Sequence, residues 1–349
     1  MATIVDVANA AQVSVATVSR VLNGKSTLES EKAKRVLQAV KDLQYVPNST
    51  ARNLRRNVSR VILVLVPNIT NPYYAHIVSG IGDAARQQGY STLLCNTQGD
   101  QRQEERVLRH LARRQADGAI LLATELGSEW LRPYAQLYPI VQCSEYDPDV
   151  KIPRVTIDNY QAVREIMAYL RDLGHTRIGI ISSKNQYSST ALRMRAYRDA
   201  LEEMGLPVQE EYIRSAAVDY TFGSGFEAAR GLLSQEMRPT ALFCISDMLA
   251  LGAIASAQEM GFRVPEDVTV IGFDDVEHTT MFHPYVTTMV QPCYDIGFQA
   301  METLGQLLGQ QDVPLKKLLP HRLIVRESSA PYPQSVLDFA ARATGRQII

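Results

Sequence analysis

The stretch TIVDVANAAQVSVATVSRVLNG (residues 3–24) holds two short helical patterns separated by a tight turn. Thr3 and Asp6 have the spacing of a capping box, in which each side chain satisfies a backbone N–H near the other at a helix start. Val5, Val7, Ala8 and Ala11 are the apolar positions of the first helix. Gln12 and Val13 make the turn. Ser14 then caps a second helix that runs to about Leu22, with Val15, Val18 and Val21 at helical spacing. Asn23 and Gly24 tolerate the left-handed backbone that ends a helix. A third helix, from about Ser30 to Gln44, turns Val36, Leu37, Val40 and Leu43 inward. Three small helices with one tight turn between the first two predict a helix-turn-helix bundle over residues 1–46.

Outward from this head, residues 47–59 read PNSTARNLRRNVS, polar and basic around a single leucine, Leu54. So little apolar surface cannot hold a free helix together, and on its residues alone the segment is a linker. From Arg60 onward the pattern changes. Continuous apolar runs at 61–66, 119–123, 178–181, 241–245 and 268–271 suit strands buried on both faces. Amphipathic segments at 75–88, 162–173, 191–204, 228–233 and 249–260 lie between them, and Gly89, Gly174, Gly205 and Gly261 stand before the next strand. This alternation predicts an α/β fold of doubly wound parallel sheets. About 270 residues exceed one such sheet, so residues 60–328 are read as two lobes with a cleft between them. Residues 329–349 break the pattern and form a tail or an added helix.

Hydrophobic residues make up 46% and charged residues 21% of the 349-residue chain, the balance of a soluble globular protein. No apolar run reaches the roughly 18–20 residues that cross a bilayer, and the start MATIVDVANAAQ lacks the features of a signal peptide. The expectation is a cytoplasmic protein with no membrane partner. Cys95, Cys143, Cys244 and Cys293 show no metal-ligand spacing and read as reduced core thiols. The net charge of −1 is unevenly spread: residues 1–60 carry +6 and the remainder −7. A basic head on an acidic body suits a polyanion-binding module joined to something else. There is no Walker A string, no GxGxxG after a strand, no GxSxG and no paired His/Cys site. Catalytic residues, a metal site and a cofactor are therefore not expected.

The head closely resembles the lactose-repressor/galactose-repressor family of bacterial regulators, above all in V-S-x-x-T-V-S-R-V-L-N (residues 13–23). Three more motifs stand where that family has them: NPYY at 71–74, PTALFCISDMLALGA at 239–253, and VPEDVTVIGFDD at 264–275 followed by TTMVQP at 287–292. The likeness spans residues 3 to 328. Within the family the chain looks nearest to the cytidine-repressor type, through ILVLVPN (62–68), SEYDP (144–148) and DYTF (219–222).

The resemblance implies a ligand-responsive transcriptional regulator, a repressor by the commoner family behaviour, that binds a near-palindromic double-stranded DNA operator as a homodimer. It implies DNA contacts from Ser14, Val15, Ala16, Thr17, Ser19, Arg20 and Asn23. Val15 and Ala16, taken as outward, match positions that set base preference, and being apolar they suit thymine methyls. Arg20 matches a residue that contacts base edges; a phosphate contact is the alternative. In the family, residues 47–59 are a hinge helix that orders on the operator. Asn48, Ala51 and Arg52 then join the interface, and Leu54 matches the leucine that wedges between base pairs. Packing of Leu54 on the large domain is the competing reading. The family pattern weakens at Ser49 and Thr50, where apolar residues are commoner.

By position, effector contacts are implied for Tyr73 and Tyr74 from the first lobe and for Arg193, Tyr220, Asp247 and Asp274 from the second. Arginine and carboxylates suit ligand hydroxyls, and tyrosine faces suit a flat ring or a sugar, so a nucleoside or a sugar is the implied effector. Each residue has a plainer alternative: Asp247 as a helix cap, Asp274 as a turn residue with Asp275, Tyr74 as core, Arg193 as a solvated face with Arg195 and Arg198. Asp158 and Glu145 are weaker candidates. A solute-binding receptor without DNA function is the rival class, and the basic head speaks against it.

Overall fold

The computed structural model of the chain describes residues 2–22, 30–45, 58–218 and 220–332, and separates it into two units, Met1–Ser59 and Arg60–Ile349. In the first unit, helix α1 (Ile4–Ala10) opens on the reciprocal cap of Thr3 and Asp6. The Asp6 N–H donates to Thr3 Oγ1 at 3.3 Å and the Thr3 N–H to Asp6 Oδ2 at 2.8 Å. Gln12 takes the left-handed backbone of the turn, φ +51°. Ser14 Oγ then accepts the Thr17 N–H at 3.2 Å, starting α2 (Val15–Leu22). Ser30 caps α3 (Glu31–Asp42) in the same way.

The core of this bundle is Val7, Ala8, Ala11, Val18, Val21, Ala33, Val36 and Ala39. Two inward assignments on α3 are corrected: Leu37 is 43% and Leu43 38% exposed. Small alanines at 33 and 39 let the helices approach closely. Leu37 lies about 100° round the helix from Val36, and Leu43 is already the C-cap.

The second unit contains two six-stranded sheets. The first orders as β11-β5-β4-β3-β1-β2, with β1 (Val61–Val66), β2 (Ser91–Asn96), β3 (Gly118–Leu121), β4 (Ile140–Cys143), β5 (Arg154–Ile157) and β11 (Lys316–Leu319) all parallel. The second orders as β12-β10-β9-β8-β6-β7, with β6 (Ile178–Ser183), β7 (Ile213–Ala216), β8 (Ala241–Cys244), β9 (Thr269–Asp274) and β10 (Thr287–Val290) parallel. Among the described residues only β12 (Arg322–Ile324) runs antiparallel, against β10. The architecture is therefore the α/β, doubly wound, two-lobed one expected. Central strands are buried throughout, as in β6, β8 and β9, which is why they read as unbroken apolar runs. Gly89, Gly174, Gly205 and Gly261 all have positive φ, from +67° to +84°, the conformation that lets the chain leave a helix and enter the next strand.

In each lobe a pair of helices crosses closely at glycines. In the first, α4 (Pro72–Gln87) crosses α11 (Cys293–Leu308) at Gly80 and Gly297; a Cβ on Gly297 would lie 1.9 Å from the Ile77 carbonyl oxygen. In the second, α9 (Phe222–Leu233) crosses α10 (Asp247–Glu259) at Gly225 and Gly252. Residues 328–332 are tied to the second lobe: Ser328 Oγ donates to the Val270 carbonyl at 2.6 Å, and the Tyr332 N–H to the Leu173 carbonyl at 2.8 Å.

Candidate functional site

The strand orders require the chain to pass between the lobes three times, at Asp158, at residues 291–292 and at residues 320–321. Parallel strands in both lobes aim their C-terminal ends at the cleft between these crossings, where ligands of open α/β sheets bind. Five of the six implied effector residues, Tyr73, Tyr74, Arg193, Tyr220 and Asp274, line one inner cavity. It leaves about 20 Å³ of free space, room for little more than a water. Two outer wells, about 630 and 440 Å³, flank it.

The first-lobe wall is built on α4, whose start is set by Asn71 as cap and Pro72 in the first turn. The next two residues, Tyr73 and Tyr74, stand edge to face at 5.2 Å. Both are buried, and burial raises both phenol pKa values. The Tyr73 hydroxyl sits 2.5 Å from Ser144 Oγ and donates to Gln291 Oε1 at 3.4 Å. Tyr74 lines the inner cavity as well as belonging to the core, so its two readings are compatible.

On the second lobe, α8 (Ser188–Glu203) carries Arg193 inward, 6% exposed. Its Nε donates to Asn159 Oδ1 at 2.9 Å and its Nη1 to the Ile245 carbonyl at 2.6 Å, and the guanidinium lies 3.6 Å from the Phe273 ring centre. Arg195 and Arg198 point elsewhere, to Asp199 and Glu210. Tyr220 has φ +54°. Its hydroxyl accepts from Asn185 Nδ2 at 2.6 Å and, since Thr190 Oγ1 already donates to Asn185 Oδ1, donates to Thr190 at 3.0 Å. Both polar capacities are met, which leaves the ring to face the cleft. Burial pushes this phenol up to about 12.

The two aspartates differ. Asp274, at the end of β9, accepts from Gln291 Nε2 at 2.7 Å and faces the cavity. Burial raises its pKa, with Arg193 opposing. Asp247 does not reach the cavity. It is fully buried, and its oxygens accept the Val276 N–H at 2.8 Å and the Thr288 hydroxyl at 2.6 Å. It braces the turn after β9, while Ser246 caps α10. Burial, then the nearby Asp274, raises its pKa. Asp158 caps the helix that follows it, accepting the Gln161 N–H at 3.0 Å.

Sequence reasoning gave no cleft role to Asn71, Ser189, Ser246 or Gln291, all of which line the cavity, and it ranked Glu145 low. Asn71 and Gln291 lie inside quoted motifs. Ser246 also lies inside a quoted motif, next to Asp247, whereas Ser189 carries no signal in a single sequence. The cavity lining is polar and hydroxyl-rich, with two carboxylates and one guanidinium among aromatic faces, a set that grips a small polyhydroxylated or ring-bearing molecule.

On the head, Ser14, Ala16 and Arg20 are exposed, and Thr17 and Ser19 are half-buried. Val15, taken as outward, is half-buried and packs on the head core, because it continues the Val18 and Val21 stripe. Arg20 Nε donates to the Ala16 carbonyl at 3.4 Å. Asn23, Asn48, Ala51, Arg52 and Leu54 lie outside the described residues.

Among the described residues no helix is long and apolar enough to cross a membrane. Residues 3–48 match the family described as bacterial regulatory proteins, lacI family, and residues 59–327 match periplasmic binding proteins and sugar binding domain of LacI family. The HTH-type transcriptional repressor CytR of Escherichia coli is 37% identical over 334 residues, 95% of this chain and 97% of that protein. Catabolite control protein A of Priestia megaterium is 37% identical over 330 residues, 94% of this chain and 99% of that one. Among solved structures, the Lac repressor dimer bound to operator and the anti-inducer ONPF superposes with a TM-score of 0.85 at 26% identity, covering 94% of this chain and 99% of that one. The chain belongs to the lacI family of bacterial regulatory proteins and is a ligand-responsive transcriptional regulator, not an enzyme.

Proposed function

We propose that the chain is a cytoplasmic repressor that binds a near-palindromic operator as a homodimer and changes its grip when a nucleoside or a sugar enters the interlobe cleft. In this reading residues 1–46 bind DNA, 47–59 form the hinge, 60–328 bind the effector and dimerise, and 329–349 are a tail. Ser14, Ala16 and Arg20 meet the major groove with Val15 beside them, and Thr17, Ser19 and Asn23 meet the phosphates. Asn48, Ala51, Arg52 and Leu54 contact the operator centre. The likeness to a repressor solved as a dimer on its operator supports the dimer and the DNA side.

The observation that carries the effector side is the convergence of Tyr73 and Tyr74 from one lobe with Arg193, Tyr220 and Asp274 from the other. A ligand touching both walls changes the relative stability of lobe arrangements only by its differential affinity for them, about 1.4 kcal/mol for each tenfold shift. Asp247 acts on the site indirectly, by holding the turn that carries Asp274.

The experiment is a thermal-shift screen of nucleosides and sugars, followed by operator binding with and without each stabilising compound. Arg193→Ala should abolish the stabilisation and the ligand response while operator affinity without ligand stays within about threefold. An unchanged response in this variant would remove the cleft from the reading.

A further inference from the structure

We infer that Glu145 makes the cleft selective against phosphorylated and other anionic ligands, so that its effector is an uncharged molecule and not a phosphate ester; this rests on the effector cleft proposed above. Helix α8 is 16 residues long and begins at the cleft, and its N-cap, Tyr187, offers no side-chain cap. Unmet N–H groups and the helix dipole make such a start a ready anion site. Here the chain supplies the anion itself. Glu145, from the loop after β4 of the first lobe, accepts from the Ser189 N–H at 3.0 Å and Ser188 Oγ at 3.1 Å through Oε2, and from Ser189 Oγ at 2.5 Å through Oε1. The neighbouring Tyr146 N–H donates to Ser188 Oγ at 3.3 Å.

A phosphate arriving at these donors must expel a carboxylate that already has three hydrogen bonds, or stand against its charge. The inner lining is a poor substitute position, since Asp274 is a second acidic group there and Arg193 commits Nε and Nη1 to the protein. A hydroxyl meets the opposite situation, because a carboxylate has about four acceptor sites and Glu145 fills three of them. The same residue therefore repels one ligand class and can receive the other.

The test uses the full chain and calorimetric titration with inorganic phosphate, and with ribose and uridine each set against its phosphate monoester. The wild type should take up no inorganic phosphate and should bind neither ester more tightly than its neutral parent. Glu145→Ala should gain phosphate affinity by about tenfold or more, since the serine hydroxyls and the Ser189 N–H then become available. Adding Ser188→Ala and Ser189→Ala should reverse that gain. Glu145→Gln, which keeps the shape without the charge, should fall between wild type and Glu145→Ala, and it serves if the alanine variant folds poorly.

Phosphate uptake by the wild type, a preference of the wild type for an ester, or no gain in either Glu145 variant overturns the inference. Gain of phosphate by the variants with no response to any uncharged compound in the wider screen supports the role of Glu145 and counts instead against the effector reading.

Discussion

Asp274, which faces the proposed effector cavity, shows how the burial of one residue sets stability. Burial raises its pKa from an ordinary 3.8 to about 7, against the pull of Arg193. Below about pH 4 it is protonated in both the folded and the unfolded chain and contributes nothing to the difference. Between about 4 and 7 the unfolded chain releases the proton while the folded chain keeps it, so stability falls as pH rises; above 7 the penalty is complete. Asp274→Asn keeps an acceptor for Gln291 and carries no charge. It should melt higher than wild type at pH 8, with the gap closing toward pH 4, as read by thermal denaturation across that range; a gap independent of pH would dismiss the explanation. Asp247 shows what a single sequence hides at this scale. Whether an aspartate after a buried strand faces ligand or core depends on its partners, here Val276 and Thr288, 29 and 41 residues away in the chain. No local pattern encodes that choice.

At the scale of elements, much of the fold was legible because its signals are local: unbroken apolar strands, capped helix starts, and glycines that leave helices at positive φ. Helix starts were read late, at 75 and 228 where the helices begin at Pro72 and Phe222, since the first turn of each carries little apolar periodicity. Edge strand β2 escaped the reading because much of it is exposed. The helix-crossing glycines escaped too, since a glycine inside a helix registers in sequence only as a cost. Their packing makes opposite predictions for one substitution. Gly297→Ala drives a methyl into the Ile77 carbonyl and should destabilise the large domain by about 1–3 kcal/mol. Gly82→Ala, on the same partner helix with nothing within 4 Å of the new Cβ, should stabilise it by about 0.5–1 kcal/mol. Urea midpoints for the two variants check both signs, and equal shifts would refute the crossing argument.

For the whole molecule, the +6 head and −7 remainder divide attraction to DNA from repulsion. Phosphate contacts give affinity without sequence, whereas a side chain that unstacks a base step depends on the sequence it bends. Leu54→Ala should therefore cost about tenfold or more on a specific operator and leave non-specific binding nearly unchanged, measured by titration of both DNAs at one salt concentration; equal losses would reject the wedge. The three passages between lobes bear on biosynthesis. Because α11 and β11 lie late in the chain yet belong to the first lobe, a ribosome must translate past Leu319 before that lobe has all its parts. Its early strands emerge without their last neighbours, so chaperone demand should peak late in translation, and a break in the gene near codon 158 would leave the first lobe incomplete while the remainder still encodes every strand of the second.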